Sequence, residues 1–66
     1  MGQVRELVIR LNGSVLETVT VPPDTQEAEL RAAVLNRPLV REGLQGRFPS
    51  RVAFSADGTA VDIIDI

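Results

Sequence analysis

The chain has 66 residues, which is the size of one small domain covering residues 1–66. It contains neither cysteine nor histidine. This excludes disulfides, thiol nucleophiles, thiolate or imidazole ligands for zinc, and a histidine proton shuttle, so we expect no catalysis, no cofactor and no metal. Seven basic residues, all arginine, stand against nine acidic ones for a net charge of −2, which disfavours a strongly electrostatic nucleic-acid binder.

The hydrophobic share of 44% is typical of a globular protein. No apolar segment approaches the roughly 20 residues that span a bilayer. Arg5 and Glu6 interrupt the first apolar segment too early for a signal peptide. We therefore expect a cytoplasmic location and no membrane partner.

The first predicted element is a β-hairpin around Asn12-Gly13, a dipeptide typical of tight turns between strands. A two-residue loop would pair Leu11 with Ser14, whereas a three-residue loop with Gly13 as a left-handed bulge would pair Arg10 with Ser14. We favour the bulged loop, because it gathers most aliphatic residues on one face. That inner face would hold Leu7, Ile9, Leu11, Val15, Val19 and Val21, with Val8 and Leu16 as apolar exceptions on the outer face.

A helix is predicted after the prolines at 22–23, which end the second strand. Asp24 and Glu27 have the spacing of a capping box, so the helix should begin at Asp24. It should end near Asn36, because Pro38 disfavours helical geometry in the preceding residue. Its buried stripe would consist of Leu30, Ala33 and Val34.

Pro38 also predicts a short second helical turn that ends at Gly46, with Val40 and Leu44 on one side. The last third predicts a second hairpin, with strands 51–55 and 60–66 around Asp57-Gly58. Its inward side chains would be Val52, Phe54, Val61 and Ile63. The predicted fold is α+β, in the order ββαββ, with an antiparallel sheet covered on one face by one main helix and the short helical turn.

Five segments occur in a characteristic order: Leu11-Asn12-Gly13-Ser14, Val21-Pro22-Pro23-Asp24, 27–35, Leu44-Gln45-Gly46-Arg47 and the turn at Asp57-Gly58. This order resembles the small domain at the extreme C-terminus of bacterial-type leucyl-tRNA synthetase, over nearly the whole chain. The resemblance implies a non-catalytic, tRNA-binding appendage that supports aminoacylation by a distant catalytic domain. Its partners would be tRNA with a long variable arm and, if the chain is a fragment, the rest of a leucine-tRNA ligase.

Four arginines are candidates for contacting RNA: Arg10, Arg41, Arg47 and Arg51. Arg47 matches the basic residue that follows the turn glycine in the family. The alternative is that these arginines are solvated charges, partly paired with Glu17, Glu42 or Asp57. Of the two aromatic residues, Phe54 is expected in the core, while Phe48 could lie in either environment.

Two further readings follow from the residues. Asp57, Asp62 and Asp65 could suggest a metal site, but their spacing matches no calcium loop, and a solvated strand edge is favoured. A small ubiquitin-like protein-interaction module of the same α+β shape is the alternative function. Arginines gathered on one face would favour RNA, whereas arginines scattered among carboxylates would favour a protein partner.

Overall fold

A computed structural model describes residues 4–65 of the chain. Two hairpins enclose two consecutive helices, in the order β1(Arg5–Leu11), β2(Ser14–Val21), α1(Glu27–Leu35), α2(Pro38–Leu44), β3(Arg51–Phe54) and β4(Ala60–Ile64). The α+β class and the order of the elements are confirmed. Neither helix is long and apolar enough to cross a membrane within this described range.

The four strands form one sheet with the order β2-β1-β4-β3. Both hairpins are antiparallel, but β1 and β4 pair in parallel in the middle of the sheet, from Val8 opposite Ala60 to Leu11 opposite Ile63. The expectation of a purely antiparallel sheet is therefore wrong for the central pair. The two helices form a crossover that returns the chain, so β3 runs in the same direction as β2. Reversal at the second turn then aligns β4 with β1.

The first hairpin closes through a two-residue turn, in which Leu11 pairs with Ser14. Asn12 and Gly13 both have positive φ, 51° and 86°, as a type I′ turn requires. The predicted bulge at Gly13 is therefore wrong. Asn-Gly accommodates both left-handed positions, and the resulting twist matches that of the paired strands.

The pairing of β1 with β2 is irregular two residues from the turn, where Arg10 pairs with Val15 but Ile9 pairs with Glu17. Leu16 is the extra residue of a β-bulge, and beyond it odd-numbered residues lie opposite odd-numbered ones, as predicted. The predicted pairs themselves are wrong by two residues, because Ile9 lies opposite Glu17 and not opposite Val15. The bulge reverses two predictions, since Val15 is 62% exposed and Leu16 packs against the core. It thereby turns the larger of the two side chains inward.

The main helix begins at Glu27, three positions after the predicted start at Asp24, and no side chain caps its first turn. Thr25 instead closes a local turn, because its backbone N–H and its hydroxyl both donate to the carbonyl of Pro22, at 3.2 and 2.8 Å. The predicted end at Asn36 is confirmed, as is α2 with Pro38 in its first turn.

The core lies between the helices and one face of the sheet. Eight buried aliphatic residues form it: Leu7, Ile9, Leu30, Val34, Val40, Leu44, Val61 and Ile63. The predicted inward positions of the two central strands are confirmed. Phe54 is half-buried and packs against this core, as expected, whereas Ala33 is exposed and does not belong to the helix stripe.

Candidate nucleic-acid interface

The segment after α2 brings an aromatic side chain to the surface. Gln45 ends the helix in the left-handed conformation, with φ 55°, and the N–H of Arg47 donates to the carbonyl of Leu44 at 3.0 Å. This tight exit directs the next residue away from the core. Phe48 is 93% exposed. The sequence left open whether Phe48 lies in the core or at the surface, and the structure places it at the surface.

Two shallow clefts meet at Phe48 and Pro49. Arg41 and Arg47 line the first of them, which lies beside the end of α2. Arg31 and Arg51 line the second, which lies between α1 and the start of β3. Both clefts share Leu35 on their floor. The result is a continuous surface, which we call the arginine–Phe48 surface, made of Arg31, Arg41, Arg47, Arg51 and Phe48.

One cation of this surface is already paired. Arg47 Nη2 lies 2.6 Å from Asp65 Oδ2, and its Nη1 donates to Gln45 Oε1 at 3.3 Å. The Arg47 side chain nevertheless remains 58% exposed, so it can still be reached from solvent. Within residues 4–65, the structure gives no ion pair to Arg31, Arg41 or Arg51. Three guanidinium charges of the surface are therefore not neutralised locally.

Arg10 lies elsewhere in the fold. It is opposite Asp62 in the β1–β4 register, and its Nε is 2.9 Å from Asp62 Oδ1. Side chains alternate along a strand, so the burial of its neighbour Ile9 beneath the helices places Arg10 on the open face of the sheet. The structure thus brings together three of the four predicted arginines and separates the fourth.

Two members of the surface were missing from the sequence-based set. Arg31 is exposed on the main helix, and its neighbour in space is the strand that begins at Arg51. Twenty residues separate the two arginines, so no local pattern relates them. Phe48 carries a usable signal, because it stands in a Gly- and Pro-flanked loop, where a core aromatic is uncommon.

The three aspartates that suggested a metal have separate contacts. Asp62 pairs with Arg10, and Asp65 pairs with Arg47. Asp57 Oδ1 accepts hydrogen bonds from the Ser55 hydroxyl at 2.7 Å and from the Thr59 hydroxyl at 2.8 Å and backbone N–H at 3.1 Å. These bonds, that of Ser55 foremost, lower the pKa of Asp57 to about 2. Asp57 therefore organises the second turn.

Glu17 was proposed as a partner for the candidate arginines, but its carboxylate binds another arginine. Glu17 accepts two hydrogen bonds from Arg37, at 3.2 Å from Nε and 2.9 Å from Nη2. These bonds lower the pKa of Glu17 and raise that of Arg37. The pair links the bulged part of β2 to the start of α2.

No protein-family model matches the chain. Leucine–tRNA ligases are similar to it: that of Azorhizobium caulinodans is 44% identical over 46 residues, or 70% of this chain, and that of Thermotoga maritima is 37% identical over 59 residues, or 89%. The ligase of Acidothermus cellulolyticus is 41% identical over 49 residues, or 74% of this chain. The matched segments span only 5%, 7% and 6% of these ligases.

A solved structure shares the fold. It is the crystal structure of the ternary complex of Agrobacterium radiobacter K84 agnB2 LeuRS, tRNA and LeuAMS, which is similar over 97% of this chain and 8% of that one, with a TM-score of 0.84 and 22% identity. The similarity in sequence and the shared fold thus agree with the family resemblance that the five ordered segments indicated. The chain belongs to the leucyl-tRNA synthetase family.

Proposed function

We propose that this chain is a non-catalytic, cytoplasmic tRNA-binding appendage that supports aminoacylation by a leucyl-tRNA synthetase, and that the arginine–Phe48 surface contacts the RNA. The observation that carries the proposal is the gathering of four arginines around one exposed loop, three of them without a carboxylate partner among the described residues. Phosphate groups bind where guanidinium groups converge, because the planar fork of arginine matches their oxygens.

The net charge of −2 does not oppose this proposal, because a bound RNA meets the charge of the local surface rather than that of the whole chain. Glu17 and Asp62 are paired with Arg37 and Arg10, outside the arginine–Phe48 surface. A locally basic face can therefore exist on an acidic protein. Its RNA partner would be a tRNA with a long variable arm, and its protein partner would be the rest of the synthetase.

The test is a titration of the 66-residue chain with a tRNA that has a long variable arm, at about 50 and 200 mM salt. The variants Arg41→Ala and Arg51→Ala should each weaken binding and reduce the slope of log K against log salt by about 1, as expected for the loss of one phosphate contact. Both residues are exposed, so the substitutions should leave the fold intact.

Arg10→Ala is the matched control, since it removes the same charge from the opposite face of the sheet. We expect it to change affinity less than either cleft variant does. If affinity for tRNA does not fall with salt, or if all three variants bind like the wild type, the RNA proposal is wrong. In that case a protein partner becomes the better explanation of the exposed surface.

A further inference from the structure

Phe48 is an aromatic side chain that the fold does not use. The other phenylalanine, Phe54, packs against the core, while Phe48 is 93% exposed. Burying a phenylalanine side chain typically stabilises a folded protein. A chain with a small core and only two aromatic residues leaves this contribution unused at position 48.

The loop around Phe48 is held at both ends. At one end, the backbone N–H of Arg47 donates to the carbonyl of Leu44 at 3.0 Å. Pro49 follows, and its ring fixes φ near −65°. The backbone around Phe48 therefore loses little conformational freedom when the surface binds, which lowers the entropic cost of presenting the aromatic ring.

The surroundings of Phe48 have the charge of a nucleic-acid groove. Arg41 and Arg47 lie in the cleft on one side, and Arg31 and Arg51 lie in the cleft on the other. Single-stranded nucleic acids are bound by this combination, in which cations follow the phosphates and an aromatic ring stacks on a base. A continuous double helix offers phosphates but no free base face, since its bases are stacked on one another.

We infer that Phe48 stacks on an unpaired base of the RNA, so that the arginine–Phe48 surface recognises a loop, bulge or end rather than a regular helix. This inference rests on the proposed function and specifies which part of an RNA the surface takes. The four arginines would contact the phosphates on both sides of the stacked nucleotide. An exposed aromatic of a protein partner is the competing occupant, and the test separates the two.

The experiment uses the absence of tryptophan and tyrosine from the sequence. Phe48→Trp introduces a single indole fluorophore at the proposed stacking position, and stacking on a base should quench its emission. We expect quenching on titration with a single-stranded RNA octanucleotide and with the tRNA, and much weaker quenching with the same octanucleotide in a duplex, where only the terminal base pairs expose a face. Equal quenching by the duplex, or none by any RNA, would overturn the inference.

Phe48→Leu is the second variant, because it keeps an apolar side chain and removes the aromatic face. Its affinity for tRNA should fall about 5- to 150-fold, the range expected for the loss of one base–aromatic stack. Thermal unfolding should stay unchanged, because position 48 is exposed. Suppose that Phe48→Leu binds tRNA like the wild type while Arg41→Ala weakens it. Stacking is then refuted and the proposed function stands. If the wild-type chain shows no salt-dependent binding of tRNA, the proposed function itself is refuted.

Discussion

Replacing Leu16 by alanine tests the bulge that sets the two faces of β2. Leu16 is partly buried against the core, whereas the adjacent Val15 is 62% exposed. The substitution removes three carbon atoms, which at about 0.8 kcal/mol per CH₂ gives a transfer free energy of about 2.4 kcal/mol for a fully buried side chain. Because Leu16 is only partly buried, we expect a loss of about 1.5 kcal/mol. Val15→Ala should change the free energy of unfolding by less than about 0.5 kcal/mol.

Urea unfolding of the two variants and the wild type measures these differences directly. In thermal unfolding, a loss of about 1.5 kcal/mol corresponds to a decrease in Tm of roughly 6–12 °C for a domain of this size. The result that would refute the reasoning is a larger loss for Val15→Ala than for Leu16→Ala. The hairpin would then close through the three-residue loop with Gly13 as the bulge, and Val15 would face the helices.

Two further predictions concern aspartates. Asp65→Asn removes the partner of Arg47, so affinity for tRNA at low salt should rise a few-fold. Loss of the ion pair should lower the free energy of unfolding by at most about 1 kcal/mol. An unchanged or weaker affinity would show that Arg47 does not contact RNA. Because folding lowers the pKa of Asp57 from 3.8 to about 2, its ionised form stabilises the fold above pH 3.8, and this contribution is lost as pH falls towards 2. The difference in Tm between the wild type and Asp57→Asn should therefore shrink between about pH 5 and pH 2, and a constant difference would contradict this role.

Local signals account for the parts of the fold that were predicted correctly. The dipeptides Asn12-Gly13 and Asp57-Gly58 mark the two turns, and Pro38 separates the two helices. Each of these signals acts within a few residues, through φ preferences or a missing N–H donor. The order of the elements and the inward faces of β1 and β4 follow from them and from the period of two along a strand.

Three of the wrong predictions have a different cause, since each depends on a contact that is remote or that competes with a local one. Asp24 has a side chain suited to a helix N-cap, but the hydrogen bonds from Thr25 to the carbonyl of Pro22 form a turn at this position instead. The bulge at Leu16 depends on which side chain the helices can cover. The parallel pairing of β1 with β4 depends on the crossover, which hairpin patterns do not describe.

The candidate site was only partly visible in the sequence for the same reason. The resemblance to a known family singled out Arg47, and proximity along the chain suggested Arg41 and Arg51. Arg31 joins them only because α1 packs beside the start of β3. Arg10 looked equivalent by charge, but the pairing of β1 with β4 places Asp62 beside it. Whether Arg10 contacts RNA stays a prediction.

The parallel pair at the centre of the sheet joins positions that are 52 residues apart, as in the contact of Arg10 with Asp62. During synthesis on the ribosome, β1 has only β2 beside it until the final strand emerges, and an isolated hairpin is marginally stable in water. Val61 and Ile63 then complete the core in one step. Folding should therefore be late and cooperative, slowed by the entropy of closing so long a loop. A polypeptide that stops short of β4 would expose the apolar faces of both helices, and it would be recognisable to proteases as unfinished.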